Sequence, residues 1–197
     1  MLSKITTIGV PTNRGLKPKM AQSLLNLVAH GGYEFHIVVA EEGYTVAENR
    51  NYLAIQALNN NSDYLLMIDD DMIFEPDLLD RLIANKKDII GVAYHPRTDM
   101  GDKLKWLDET HHINLEKSAD PKYKDTFECH ATGTGIILIN CEVFRKIPRP
   151  WFAFEYYPTG QCKLGEDWYF SRAAKKAGFK KWTDPRISVG HLGEKIY

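Results

Sequence analysis

The chain has 197 residues, 44% of them hydrophobic, and a formal net charge of −1, which suits a single domain with a sizeable core. That charge balance gives no global attraction to nucleic acid or an anionic membrane, and no apolar run is long enough to cross a bilayer. Cys129, Cys141 and Cys162 are odd in number and form no CxxC pair, so neither a disulfide framework nor a zinc ribbon is indicated. With no signal-peptide pattern at the N-terminus, the expected setting is cytoplasmic.

In chain order, residues 5–10 read as a buried strand ending at Pro11. Pro18 suits the first turn of a helix, with Met20, Leu24, Leu27 and Val28 as its apolar stripe and Gly31-Gly32 as its stop. Residues 35–40 predict a second strand. Residues 46–58 predict a helix with Leu53, Ala54, Ala57 and Leu58 facing inward. Tyr64-Leu65-Leu66-Met67-Ile68 is a continuous apolar run, as in a strand buried on both faces. Pro76 and Asp77 open another helix through Ile83, and 89–93 predict a further strand. This alternation implies a largely parallel sheet with helices on both faces.

The pattern fails over 97–127, which is polar and carries Asp99, Gly101, Asp102, His111, His112 and Pro121. Irregular segments of that length usually serve a function. Order resumes with a strand at 135–140 and a short helix to Ile147. A helix over 166–177 is stopped by Gly178, and Trp182 and 187–189 predict short strands before His191.

Three features carry chemistry. Asp69-Asp70-Asp71 follows a buried strand directly, and the C-terminal ends of such strands are where open α/β sheets bind ligands. Three adjacent carboxylates repel one another unless a cation offsets them, and a hard divalent ion with oxygen ligands is the usual partner. In an extended segment Asp69 and Asp71 would share one side while Asp70 faces away. A helix cap would need only one of the three. Gly165-Glu166-Asp167-Trp168 opens a helix, where acids favour the macrodipole or where Asp167, and less readily Glu166, could act as a general base. His191 stands in Gly190-His191-Leu192-Gly193, where an imidazole can reach a metal.

Taken in this order, the features resemble the nucleotide-diphospho-sugar transferases of the GT-A fold, in particular family-two-like members of the small bacterial and viral type. The stretches that carry the likeness are Asn49-Arg50-Asn51, "DYLLMIDDDMIFEPDLL" (63–79), "ATGTGIILINCEVFRKI" (131–147), "GEDWYFSRAAKKAGFKKWTDP" (165–185) and "VGHLG" (189–193). The resemblance implies one GT-A-like, Rossmann-like domain. Residues 1–96 would form its nucleotide-sugar half, 97–127 a flexible acceptor-side loop and 128–197 the acceptor and catalytic half.

It further implies that Asp69-Asp70-Asp71 is the DxD element, with Asp71 a direct metal ligand, Asp69 near the ribose or the metal shell, and His191 completing the site around Mn²⁺ or Mg²⁺. Pro11, Thr12 and Asn13 would begin the base and ribose pocket, and Arg50 would lie near the donor. Gly133, Thr134 and Gly135 would line the floor of the sugar site, where absent side chains admit a ligand to the backbone. Asp167 matches the base of the "ED" pair in inverting members. The donor expected is a UDP-sugar, and the acceptor a carbohydrate or another hydroxyl. The acidic residue after the second strand that grips the base is unassigned between Glu41 and Glu42.

Acceptor recognition would fall to 97–127, to the aromatic stretch Trp151, Phe152, Tyr156 and Tyr157, or to another protein, with Phe154 expected in packing and Trp151 open between packing and a sugar contact. Two other readings remain open. Asp69-Asp70-Asp71-Met72-Ile73 partly matches the strand end of haloacid-dehalogenase-like phosphatases, where the first Asp is the nucleophile. A nucleotide-sugar or carbohydrate-binding module without turnover is the third. His111, His112 and His130 show no regular metal-ligand spacing.

Overall fold

The structure, a computed structural model, describes residues 4–94, 106–107 and 121–193. Its elements are β1 (Ile5–Pro11), α1 (Pro18–His30), β2 (Glu34–Ala40), α2 (Val46–Asn59), β3 (Tyr64–Ile68), β4 (Met72–Ile73), α3 (Leu78–Ala84), β5 (Ile89–Val92), β6 (Trp106–Leu107), β7 (Phe127–Cys129), β8 (Ala131–Thr132), β9 (Ile136–Asn140), α4 (Cys141–Lys146), β10 (Glu155–Tyr156), β11 (Cys162–Leu164), α5 (Glu166–Lys176), β12 (Lys181–Asp184) and β13 (Gly190–His191). Of the polar segment 97–127, Asp99, Gly101, Asp102, His111 and His112 lie outside the described residues.

Seven strands form the central sheet in the order β2-β1-β3-β9-β5-β12-β7. β1 pairs in parallel with β2 and β3, and β12 with β5. β9 enters antiparallel between β3 and β5, and β7 closes the far edge antiparallel to β12. Five of the seven strands, β1, β2, β3, β5 and β12, therefore share one direction and carry their C-terminal ends to the same rim.

The continuous apolar run of β3 is explained by cores on both faces. Tyr64, Leu66 and Ile68 pack with Met20, Leu24 and Leu27 of α1 and Leu78, Leu79 and Leu82 of α3. The alternate residues Leu65 and Met67 pack with Leu53, Ala54 and Ala57 of α2, Val143 and Phe144 of α4 and Phe170 of α5. Truncating a side chain so enclosed, such as Leu66, to alanine costs about 2–5 kcal/mol.

Helix starts follow local chemistry. Pro18 opens α1 at its first position. Thr45 and Glu48 form a reciprocal capping box on α2, with Glu48 N donating to Thr45 Oγ1 and Thr45 N donating to Glu48 Oε2. Asn140 caps α4 through its side chain. No helix among the described residues is long and apolar enough to cross a membrane.

Two expectations are corrected. Residues 187–189 form no strand: Ile187 is buried in the core beside α1 and α3, so its apolar character marks packing and not ladder pairing. The strand near the C-terminus is β13, which pairs antiparallel with β4, Gly190 opposite Ile73 and His191 opposite Met72. Trp151 and Phe152 are core residues, 2% and 1% exposed, and Trp151 Nε1 donates to the carbonyls of Phe144 and Ile147. Only Tyr156 and Tyr157 of that aromatic stretch are exposed.

Candidate active site

A cleft of about 460 Å³ opens at the carboxyl rim of the sheet, beside the ends of β1 and β3 and the first turn of α5. Pro11, Thr12 and Asn13 line it from the end of β1, and Asp69 and Asp70 from the end of β3. Glu166 and Asp167 line it from the start of α5, and Arg50 and Thr134 complete its predicted wall. Asp71, His191, Gly133 and Gly135 are not among the residues lining it.

The acidic triplet is a turn, where the sequence suggested an extended strand end. Met72 N donates to Asp69 O at 3.2 Å, which closes the chain back on itself and disperses the three carboxylates. Asp70 turns towards β1 and accepts a 2.5 Å hydrogen bond from Thr12 Oγ1. Asp69 accepts from Arg50 Nη2 at 3.0 Å. Asp71 is fully buried and stands 3.3 Å, through Oδ1, from His191 Nε2. Pairing of β13 with β4 brings that histidine to it, and Leu192 N donates to Asp71 O. Lys17 Nζ lies 3.9 Å from Asp71 Oδ2 and donates to Leu192 O.

Asp69 thus faces Arg50, while Asp71 faces His191. No group of three or more His, Cys, Asp or Glu side chains among the described residues is arranged to hold a metal ion. Asp71 and His191 together do fit a divalent cation in donor chemistry, an oxygen beside an imidazole nitrogen, as two protein ligands whose remaining positions phosphate oxygens could fill.

Arg50, expected near the donor, is buried at 3% exposure. Its Nη1 donates to Thr134 O at 3.3 Å, and its Nε lies 3.5 Å from Glu166 Oε1. Burial alone would lower the pKa of the guanidinium, but Asp69 and then Glu166 outweigh it and hold the value above the ordinary one. Burial pushes the Glu166 carboxyl above its usual range; Arg50 opposes this and the neighbouring Asp167 adds to it. Asp167 Oδ1 accepts from Trp168 N at 2.8 Å.

The glycines at 133 and 135 serve a neighbour in place of a ligand. A Cβ on Gly133 would lie 2.3 Å from Tyr94 Oη, and one on Gly135 would lie 2.7 Å from Tyr94 Cζ. The Gly135 amide donates to Tyr94 Oη at 3.0 Å, and the Gly135 carbonyl accepts from Asp69 N at 2.8 Å. The space left by the missing side chains is thus filled by the tyrosine ring, and Thr134 alone of the three lines the cleft.

Tyr94 was not singled out from the sequence. It follows β5 at the carboxyl rim, is 4% exposed, and sets its ring edge-on to His191 with centroids 5.5 Å apart. Burial and the Asp69 carboxylate push its phenol far above the ordinary range, so it stays protonated. Asn49, Arg14 and Val46 also line the cleft unpredicted. Asn49 is 2% exposed, donates to Thr12 O and Asn13 Oδ1, and accepts from Gly43 N. A signal for Tyr94 existed in its place just beyond a strand end; a buried Asn on a helix has none.

Glu41 and Glu42, both exposed, line a separate neighbouring cleft of about 350 Å³ with Gly43, Glu48, Asn49 and Tyr52.

No protein-family model and no curated protein matches the sequence. Among solved structures the chain is similar to A197 from STIV, at a TM-score of 0.65 and 18% identity over 95% of this chain and 85% of that one. It is also similar to CMP:2-keto-3-deoxy-manno-octonic acid synthetase complexed with CTP, at a TM-score of 0.54 and 10% identity over 95% and 92%. S. aureus TarS (1–349) follows at 0.49 and 13% over 93% and 59%. The fold is mixed α/β, with a mostly parallel seven-stranded sheet flanked by helices, of the GT-A-like, Rossmann type.

Proposed function

We propose that the chain is a glycosyltransferase that moves a sugar from a nucleotide-diphosphate donor, a UDP-sugar in the first instance, to an acceptor hydroxyl. The observation that carries this is one cleft with two kinds of wall. Thr12, Asn13, Asp69 and Asp70 stand on one side and the Glu166-Asp167 pair on the other. The volume of about 460 Å³ falls within the range of small-molecule sites. The fold is shared with a synthetase determined in complex with CTP, which makes a nucleotide the natural first ligand to test.

Of the two acids on α5, Asp167 is the better base. Both line the cleft, but Glu166 is engaged by Arg50, whereas Asp167 accepts only its neighbour's amide through one oxygen. Asp167 takes the proton from the acceptor hydroxyl, whose oxygen then attacks the anomeric carbon as the bond to the diphosphate oxygen breaks. Attack opposite the leaving group inverts the anomeric centre. Asp71 and His191 would hold Mn²⁺ or Mg²⁺, which would supply Lewis-acid stabilisation of the charge on the leaving group. The phosphatase reading needs Asp69 as a free nucleophile, and its ion pair with Arg50 speaks against that.

Calorimetric titration with UDP and GDP, each with Mn²⁺ and with a chelator, tests the donor class. Metal-dependent binding that Asp71→Asn abolishes and Asp167→Asn spares, with transfer depressed about 10²–10⁴-fold in the latter, is the expected result. No nucleotide binding under any metal condition would overturn the reading.

A further inference from the structure

We propose that Arg50 is a positioning residue that locks the donor-side carboxylate Asp69 to the acceptor-side carboxylate Glu166 and thereby fixes where Asp167 stands in the cleft. The consequence for rate rests on the transferase reading above; the clamp itself rests on geometry alone.

Arg50 sits on α2, and its guanidinium reaches three separate segments. Asp69 at the end of β3 lies at 3.0 Å, the Thr134 carbonyl before β9 at 3.3 Å, and Glu166 in the first turn of α5 at 3.5 Å. A buried, uncompensated guanidinium would be costly, so its three partners set its position and it sets theirs. The planar fork is what allows one side chain to serve three directions, which a lysine ammonium on a flexible stem does not.

The start of α5 needs such a lock. Gly165 at its N-cap offers no side-chain cap bond, and the local bond from Trp168 N to Asp167 Oδ1 ties the turn only to itself. Glu166 and Asp167 are consecutive on that turn, and immobilising the first orients the second. Asp69 is held from its other side by the 2.8 Å bond from its amide to Gly135 O.

The neighbours of Arg50 on α2 behave alike. Asn49 ties Thr12 and Asn13 to Gly43, and Asn51 accepts from the amides of Trp151 and Phe152. One stretch of helix thus ties the end of β1, the loop before α2 and the chain at 151–152 together. The alternative role, a direct contact to the donor's phosphates, fits less well. Nη1 and Nη2 already donate to oxygens, Nε faces Glu166 at ion-pair distance without a hydrogen bond, and at 3% exposure the side chain presents little surface to a ligand.

The test compares Arg50→Lys and Arg50→Gln with the wild-type chain in two measurements, with Arg50→Met/Asp69→Asn/Glu166→Gln as a variant that removes both stranded charges should Arg50→Gln fold poorly. In hydrogen exchange followed by mass spectrometry, protection at 69–72 and at 165–169 should fall together while the strands β1 and β2 keep theirs. This readout needs no activity, and unchanged exchange in both segments overturns the clamp. In steady-state transfer, Arg50→Lys should lower kcat by roughly 10–100-fold while the Kd for UDP stays within about threefold. Loss of UDP affinity as steep as the loss of kcat would make Arg50 a donor ligand and overturn the proposal. A wild-type chain that turns over no nucleotide-sugar would defeat the transferase reading instead, leaving the exchange measurement to decide the clamp.

Discussion

His191 Nε2 stands 3.3 Å from Asp71 Oδ1, beneath the rim of the cleft and outside its lining. The approach of Lys17 Nζ to within 3.9 Å of Asp71 Oδ2 gives that carboxylate a cationic neighbour already. A divalent ion entering between Asp71 and His191 would therefore meet the repulsion of the ammonium. His191→Ala should weaken Mn²⁺ binding by more than about tenfold, whereas Lys17→Met should tighten it. Isothermal titration with Mn²⁺ in the presence of UDP reads both. Weaker binding in Lys17→Met would show that the lysine supports the ion's site and does not compete for it.

Gly133 faces the Tyr94 hydroxyl so closely that an added Cβ would lie 2.3 Å away. Gly133→Ala should accordingly destabilise the fold by about 1–3 kcal/mol, the usual cost of overpacking. Tyr94→Phe removes the nearest atom and leaves Cζ at 2.8 Å, so the double variant should recover part of the loss. Because the two residues touch, the effects should be non-additive, and urea denaturation of the four chains measures the coupling. Strict additivity would place the cost of Gly133→Ala elsewhere.

These two sites mark where the sequence could be read and where it could not. The bounds of β3 were legible because five apolar residues between polar neighbours leave little choice. The ordered acidic and "ED" segments led to one cleft because both lie at the rim where parallel strands end. The direction of Asp71 was not legible. A strand-like alternation was assumed for 69–71, and a single backbone bond from Met72 to Asp69 turned the chain instead. Nor was the inward face of α2. Leu53, Ala54 and Ala57 were expected there, but Asn49 and Arg50 are as deeply buried while Leu58 is only half-buried. Polar side chains on a helix default to solvent, and only partners distant in sequence make these two exceptions. Tyr94 stands just beyond a strand end, which was a signal, but its partner, a glycine amide forty-one positions later, was not legible.

The thiols provide a check on burial that is independent of function. Cys129 and Cys141 are buried, and burial pushes their pKa values up to about 11 and about 12 respectively. Thiolate is the reactive form, so both should resist modification at pH 8. Cys162 is exposed on β11. Titration of the native chain with an aromatic disulfide reagent should release one equivalent promptly and the rest only in denaturant. Prompt release of more than one would contradict the packing around α4 or β7.

Asp184 closes β12 onto the end of α3, and its ionisation should govern part of the acid response. Burial raises its pKa, but hydrogen bonds from Arg186 and Asn85 outweigh that and leave the carboxyl below its ordinary value. Arg186 donates through Nε at 2.8 Å and Nη2 at 2.7 Å, and Asn85 Nδ2 donates at 2.9 Å. Because the folded pKa lies below the unfolded one, of about 3.9, the folded state binds fewer protons between the two values. The stabilisation is then fully present above about pH 4 to 5 and is lost as the pH falls through the folded pKa. Asp184→Asn should cost roughly 1.5–3 kcal/mol at pH 7, the scale of hydrogen bonds to a charged group. That gap should narrow towards zero in the most acidic buffers in which the fold survives. Denaturant midpoints for both chains at pH 7, 5, 4 and 3 follow it. A gap that stays constant down to pH 3 would assign the stabilisation to packing and neutral hydrogen bonds, with no contribution from the charge of Asp184.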